Sequence, residues 1–541
     1  MTRLTGGEAV VHSLLANGVD TVFGLPGVQN DYLYNALFDA GDRVRVLHTR
    51  HEQGAAYMAL GYALATGRPG VYNVVPGPGL LNTTAALATA YGANAKVLCL
   101  TGQIRADQIG RGFGMLHEIP DQLGIVRSLT KWAARVESPA QTPGLVAEAF
   151  RQLNTDRPRP VGLEVPMDVL ADAGEVDLSQ AVTAAANPPV DADAIDAAAR
   201  MLGAAQNPLI FVGSGAQEAG AAVQELAELL QAPVFASGGG RGVLDSRHDL
   251  SHSQAVGHRL WAAADVVLAV GSRMQRPLQG WGMDKQLKLI RIDLDPAEHW
   301  RVAPVDVRIL ADARDALAAL IPAVARHNRA RPSRRDEMAA LKAQVAADWG
   351  SLQPQMSFIH ALRDALPEDG ILVDDLTQVG YVARYAFPVY GPRTYISSGY
   401  QGTLGWSYAA ALGAKVARPD RPVLAIAGDG GFMFNVQELA TAVQHKIATV
   451  MVIFNDGAYG NVRRMQVHEY DERVIATDLQ NPDFVKLAEA FGALGLRARS
   501  PDELRSAIGR GFASGLPTLI DVPVGEMPSP WRLFFLPKVR G

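Results

Sequence analysis

Two short polar clusters each end an apolar run. Val423 to Ala427 leads into Gly428-Asp429-Gly430, and Thr449 to Phe454 leads into Asn455-Asp456-Gly457, with a helical stretch from Glu438 to Gln444 between them. Strand, helix and strand make a βαβ unit, and ligands of parallel sheets bind beyond the carboxyl ends of the strands, where both clusters fall. Asp429 and Asp456 offer hard oxygen ligands. These suit Mg²⁺, which completes a near-octahedral shell with phosphate oxygens and water. Gly428 and Gly430 would let backbone N–H groups approach a phosphate. A lone Gly-Asp-Gly is usually only a tight turn, so the second cluster at βαβ spacing carries the argument.

Two more side chains could move protons. Glu52 lies between the apolar run Val44 to Leu47 and the helical stretch Gln53 to Ala65, at a sheet edge and in a helix's first turn. The helix dipole alone favours a carboxylate there by about 0.3–1 kcal/mol, so position by itself assigns no chemistry. His117 lies in the glycine-rich stretch Gly110 to Glu118. Histidine is the side chain that exchanges protons most readily near neutral pH, which makes His117 either a proton donor or a surface or structural residue. Cys99, the single cysteine, sits in the apolar run Val97 to Leu100 and reads as a small buried hydrophobe.

The elements that must position these groups alternate strands with helices. Thr21 to Phe23, Val44 to Leu47, Gly70 to Val75, Lys96 to Leu100 and Pro160 to Val165 read as strands of a first parallel sheet. Ala171 to Asp191 is rich in Ala and Pro without apolar period and reads as a linker. A second α/β unit comes next, with strands at Pro208 to Val212, Pro233 to Ala236, Val266 to Val270 and Lys288 to Ile292 and a helix at Ala219 to Leu230. Its turn Gly213-Ser214-Gly215 is half a dinucleotide fingerprint, with Glu218 where the third glycine belongs. Arg326 to Asp336 reads as a charged, solvated connector leading into a helix from Glu337 to Ala347. The third unit runs from about Met356 to Val524, with further strands at Ile371 to Val373 and Pro517 to Asp521. The expected fold is α/β, three doubly wound parallel-sheet domains at 1–170, 191–322 and 350–525, the first and third readable as distant copies of one fold.

Bulk properties agree. At 541 residues the chain exceeds what one core supports. A hydrophobic share of 48%, a charged share of 19% and a net charge of -5 give no basic field for nucleic acid. Arg3, Glu8 and His12 interrupt the first apolar residues and no later run approaches a membrane span, so neither nucleic acid nor membrane is an expected partner and the expected location is cytoplasmic.

The Gly428-Asp429-Gly430 and Asn455-Asp456-Gly457 pair resembles the signature of thiamine-diphosphate-dependent enzymes. The resemblance implies thiamine diphosphate and Mg²⁺ as cofactors, with Asp429, Asp456 and the carbonyl of Ala458 as metal ligands; Asp456 stands where Asn is commoner in the family. The stretch Arg50-His51-Glu52-Gln53 through Gly61-Tyr62-Ala63, with Pro76-Gly77-Pro78-Gly79 and Thr101-Gly102-Gln103, is similar to the pyrimidine-binding domain of acetolactate synthases. By that likeness Glu52 is the activating acid at the aminopyrimidine, and Gln103 lies on the substrate side. In Gly399 to Ser407, Leu404 matches the apolar wedge that bends the cofactor, and the carbonyl of Gly402 matches the acceptor of its 4′-amino group. The family pairs this first domain with the diphosphate domain of a second subunit, so a homodimer or homotetramer with active sites at the subunit interface is implied.

Once a 2-oxo acid has lost CO₂, side chains near the reacting carbon decide the fate of the remaining fragment. His117 stands where acetolactate synthases carry Gln and pyruvate decarboxylases a His; Met465 stands where acetohydroxyacid synthases carry a substrate-selecting Trp; Arg273 matches an arginine that reaches an acceptor carboxylate. The segment Ser251 to Ala264 lacks the Gly-Met-His-Gly stretch of flavin-binding relatives, so FAD is not expected. The first reading is an acetolactate-synthase-like carboligase, and the alternative is a 2-oxo acid decarboxylase of the benzoylformate or pyruvate type. A nicotinamide dehydrogenase lacks its third glycine, and a dead regulatory relative would have lost Glu52 or the Gly-Asp-Gly turn.

Overall fold

A computed structural model describes residues 1–183 and 186–541. It shows three sheets of six strands each and one two-stranded ribbon. The chain forms two compact units, Met1–Ala186 with Ser398–Ala498 and Ala507–Val522, and Asn187–Ser397 with Arg499–Ser506 and Pro523–Gly541.

In the first unit, one sheet runs Arg45–His48, Thr21–Gly24, Gly70–Val74, Val97–Gln103, Val161–Pro166, Trp132–Arg135. All neighbours are parallel. Every residue of Gly70–Val74, Val97–Gln103 and Val161–Pro166 is buried, which explains why these strands read as continuous apolar runs. Trp132–Arg135 escaped sequence reading because it is a four-residue edge strand of mixed polarity. Helices Gly6–Ala16, Asp31–Ala40 and Thr142–Asn154 contribute Val10, Leu14, Leu37, Val146 and Phe150 to a core with Val22, Val71 and Leu100 of the strands.

The linker reading of Ala171 to Asp191 needs correction over its first half. Ala173–Val176 forms a strand, antiparallel to Thr2–Thr5 at the amino terminus. Its partner is remote in sequence and most of its side chains are exposed, so no local apolar alternation marks it. Ala184 and Ala185, within the same stretch, lie outside the described residues.

Helix Glu52–Thr66 is buried nearly all round, which requires a neighbour on every side. Helix Ser407–Ala417, likewise buried over most of its length, crosses it so closely that glycine is needed at the contact. A side-chain carbon on Gly61 would stand 1.9 Å from the carbonyl oxygen of Ala410, and one on Gly413 1.9 Å from that of Met58.

In the second unit the sheet runs Ser251–His252, Val234–Ala236, Pro208–Val212, Val266–Val270, Lys288–Ile292, Val307–Ile309. Counted in chain order this is 3-2-1-4-5-6, the doubly wound dinucleotide order. Its Gly213 and Gly215 press on the backbone of Gly271, where added side-chain carbons would come within 2.1 and 2.8 Å, so strand packing accounts for the partial fingerprint. The Arg326 to Asp336 connector is less solvated than its charge suggests: the Arg331 guanidinium donates to the carbonyls of Leu202, Gly203 and Ala205.

The third sheet repeats the strand order of the first, 2-1-3-4-6-5. That agreement supports reading the first and third sheets as copies of one design. Among the described residues no helix is long and apolar enough to cross a membrane.

Candidate functional site

Strands Val423–Gly428 and Val450–Asn455 are parallel neighbours in a register that sets Gly428 opposite Phe454, so the two polar turns emerge side by side. Asp429 is fully buried. Its Oδ2 accepts from Asn481 Nδ2 at 2.5 Å, and the same amide nitrogen donates to Asn455 Oδ1 at 3.1 Å. Its Oδ1 is buried without a hydrogen-bond partner. A carboxylate oxygen left so is costly unless a cation or donor meets it. Asn435 Oδ1, just beyond the turn, and Thr477 Oγ1 are orphaned in the same way.

The second turn carries Asp456, half-buried, whose Oδ1 accepts from the N–H of Ala458 at 3.3 Å. Chain returning from Thr477 to Asn481 covers this turn: Tyr459 N–H donates to Thr477 O and Leu479 N–H to Gly457 O, and Ala458 bridges Asp478. Asn481 thereby lands on Asp429. The Tyr459 ring and Leu479 side chain press on Gly430, so packing alone requires glycine there.

Gly402 has left-handed backbone at φ 57°, and Leu404 lies against Gly431, beside the Gly-Asp-Gly turn. Asn435 Nδ2 holds this segment by donating to the carbonyl of Gly405 at 2.6 Å. Leu404 is half-exposed, unlike a core leucine. Met465 is 41% exposed on helix Gly460–Glu469.

Glu52 opens its helix behind His51, whose Nδ1 accepts from Gln53 N–H. Its Oε2 accepts from Asn82 Nδ2 at 3.0 Å, and Gly79 lies alongside Oε1. The Pro76-Gly77-Pro78-Gly79 turn links Glu52 to His117. Gly77 takes φ 58°, and a side-chain carbon there would stand 2.3 Å from the carbonyl oxygen of His117, so only glycine serves.

His117 also has left-handed backbone, φ 68°, uncommon for a residue with a side chain. Its Nδ1 meets Gln29 Oε1 at 3.0 Å, while Gln29 Nε2 donates to Leu116 O at 2.9 Å. That second bond fixes which end of the amide faces the ring. Nδ1–H therefore donates to Gln29, which leaves Nε2 outside this bond.

Gln103 is employed internally. Its Nε2 and that of Gln122 donate to Glu164 Oε2 at 3.2 and 2.8 Å, its Oε1 accepts from Ile104 N–H, and Arg135 pairs with Glu164 Oε1 at 2.5 Å. Arg273, in the second unit, is half-buried after strand Val266–Val270, its carbonyl accepting from Arg291. Among the described residues no hydrogen bond or ion pair joins the Glu52–Asn82 pair to the Asp429–Asn481 pair.

Two carboxylates and orphaned oxygens fit a Mg²⁺-diphosphate group. Among the described residues there is no group of three or more His, Cys, Asp or Glu placed to hold a metal. Such sparse protein ligation is what Mg²⁺ accepts when phosphate and water fill the remaining positions. Models of the thiamine pyrophosphate enzyme N-terminal TPP binding domain, central domain and C-terminal TPP binding domain match residues 4–125, 195–320 and 375–522. The chain belongs to the thiamine pyrophosphate enzyme family. It is 36% identical to the probable 2-ketoarginine decarboxylase AruI of Pseudomonas aeruginosa, over 96% of this chain and 94% of that one. It is 34% identical to a probable acetolactate synthase large subunit of Methanocaldococcus jannaschii, over 96% and 92%, and 33% identical to the isozyme 2 large subunit of Escherichia coli acetolactate synthase, over 98% and 97%. Sequence reading missed four residues that hold these groups in this thiamine pyrophosphate enzyme: Gln29 bonds His117, Asn82 bonds Glu52, Asn435 bonds the Gly405 carbonyl and Asn481 bonds Asp429. None carries a spacing signal, because each reaches its partner through tertiary folding.

Proposed function

We propose that this enzyme decarboxylates a 2-oxo acid and that His117 delivers the proton that releases an aldehyde. The observation that carries the reading is the His117–Gln29 bond, which reserves Nε2 for proton exchange beside the Pro76–Gly79 turn, whose following helix ends at Asn82, the partner of Glu52. Bound thiamine diphosphate supplies the nucleophilic carbon and the electron sink that let CO₂ leave. Asp429, Asp456 and the Ala458 carbonyl would hold Mg²⁺, with Gly428 and Gly430 admitting the diphosphate and Asn481 orienting Asp429. Glu52 would hold a proton at the aminopyrimidine, the Gly402 carbonyl would accept from its 4′-amino group, and Leu404 would shape the cofactor's conformation. Met465 and Arg273 are assigned to substrate recognition, and Gln103 to bracing its own sheet through Glu164.

Carboligation is the second reading, favoured by the likeness to acetolactate synthases and by Arg273, whose planar fork suits the carboxylate of a second substrate. In either case three domains at 1–170, 191–322 and 350–525 form a cytoplasmic homodimer or homotetramer, Glu52 and Asp429 of one site coming from different chains. FAD has no part in this reading. Product analysis with pyruvate, an aromatic 2-oxo acid and 2-ketoarginine tests it: free aldehyde supports decarboxylation, and an acetohydroxy acid or acyloin as main product overturns it.

A further inference from the structure

Glu438 opens the helix Glu438–Gln444 beyond the Gly-Asp-Gly turn, yet its side chain serves another element. Its Oε1 accepts from His51 N–H at 3.0 Å and its Oε2 from Arg50 N–H at 3.2 Å, the two residues just before Glu52. Thr441 Oγ1 donates to Oε2 at 2.6 Å. The carboxylate is fully buried, and Gly54 lies over it so closely that a side-chain carbon there would stand 2.3 Å from Oε1. Burial pushes the Glu438 carboxyl above the ordinary carboxylate range, while the Thr441 hydroxyl and the N–H groups of Arg50 and His51 pull it down.

Burying a carboxylate is an expensive way to satisfy two N–H groups in a half-exposed turn, where water would serve. What the carboxylate adds is position. Two bonds to consecutive N–H groups fix the direction in which the chain enters the helix, and Glu52 is the first residue of that helix.

We propose that Glu438 is a positioning residue for Glu52, gripping the Arg50–His51 backbone so that the Glu52 carboxyl is held where it must meet the cofactor. This rests on the role proposed for Glu52 in activating the cofactor. Asn82 fixes the carboxyl from the side and Glu438 fixes the backbone beneath it. Small errors in such placement are costly to rate without being costly to binding.

The test uses the full chain with thiamine diphosphate and Mg²⁺, reading exchange of the cofactor's C2 proton in D₂O by NMR after acid quench, together with cofactor affinity and melting temperature. Glu438→Gln retains one acceptor oxygen but turns the other position into a donor facing an N–H. It should slow exchange by about 10- to 100-fold while affinity stays near wild type. Thr441→Val frees one carboxylate oxygen and should slow exchange by a smaller factor. In the double variant Glu52→Gln/Glu438→Gln, exchange should be no slower than in Glu52→Gln alone, since one residue acts through the other. Wild-type exchange in a folded, cofactor-saturated Glu438→Gln overturns the proposal, as do losses that multiply in the double variant. If Glu438→Gln does not fold, Thr441→Val decides, unchanged exchange overturning the proposal. If Glu52→Gln itself exchanges at the wild-type rate, the role of Glu52 fails and the proposal falls with it.

Discussion

Glu52 is held by one side-chain bond, from Asn82, and among the described residues no hydrogen bond or ion pair joins it to the Asp429 turn that would carry the diphosphate. Binding and activation are therefore separable at single residues. Glu52→Gln should keep cofactor affinity near wild type and reduce C2 proton exchange by about 10²- to 10⁴-fold, the range of a positioned proton-transfer group. Exchange at the wild-type rate would leave Glu52 as no more than the first residue of a helix. His117→Ala should leave affinity intact and change turnover or the ratio of aldehyde to coupled product. Gln29→Leu should give a milder version of the same change, because the ring remains but neither nitrogen is reserved. Identical product ratios and turnover in all three proteins would return His117 to a structural role.

Elements set what single residues can do. The Asp429 turn depends on chain from Thr477 to Asn481 folding back over it, so Asn481→Ala should weaken Mg²⁺ and cofactor binding by about 10- to 100-fold, the usual cost of losing a residue that orients a ligand. Asp429→Ala should abolish binding, whereas Asp456→Asn should be tolerated, since an amide oxygen still coordinates. Titration of cofactor against each variant checks the order, and a non-binding Asp456→Asn would show that the second ligand is wrongly assigned. The crossing of helices Glu52–Thr66 and Ser407–Ala417 is equally exacting. Gly413→Ala places a carbon 1.9 Å from the Met58 carbonyl and should cost about 1–3 kcal/mol by overpacking. A melting temperature equal to wild type would show that the helices part without penalty.

The whole molecule decides where a complete site lies. If each site takes Glu52 from one chain and Asp429 from its partner, neither Glu52→Gln nor Asp429→Ala homodimers should turn over, but refolding them together should restore about a quarter of wild-type activity, because half the dimers are mixed and each has one intact site. A site built within one chain would give no recovery.

Much of this was legible in the residues themselves. Apolar runs ending in Gly428-Asp429-Gly430 and Asn455-Asp456-Gly457 mark strand ends because strands buried on both faces must be continuously apolar and their ligands must bind where the strands stop. The same rule placed Glu52 between a strand and a helix, and the βα alternation gave the α/β class. Sequence could not supply the strand Ala173–Val176, whose partner begins at Thr2, nor the grips of Asn481 on Asp429, Gln29 on His117 and Glu438 on the turn before Glu52. Each is a polar contact between residues far apart in the chain. Local periodicity records which face of an element is buried, whereas the partner of a buried polar atom is settled only when separate elements pack against one another.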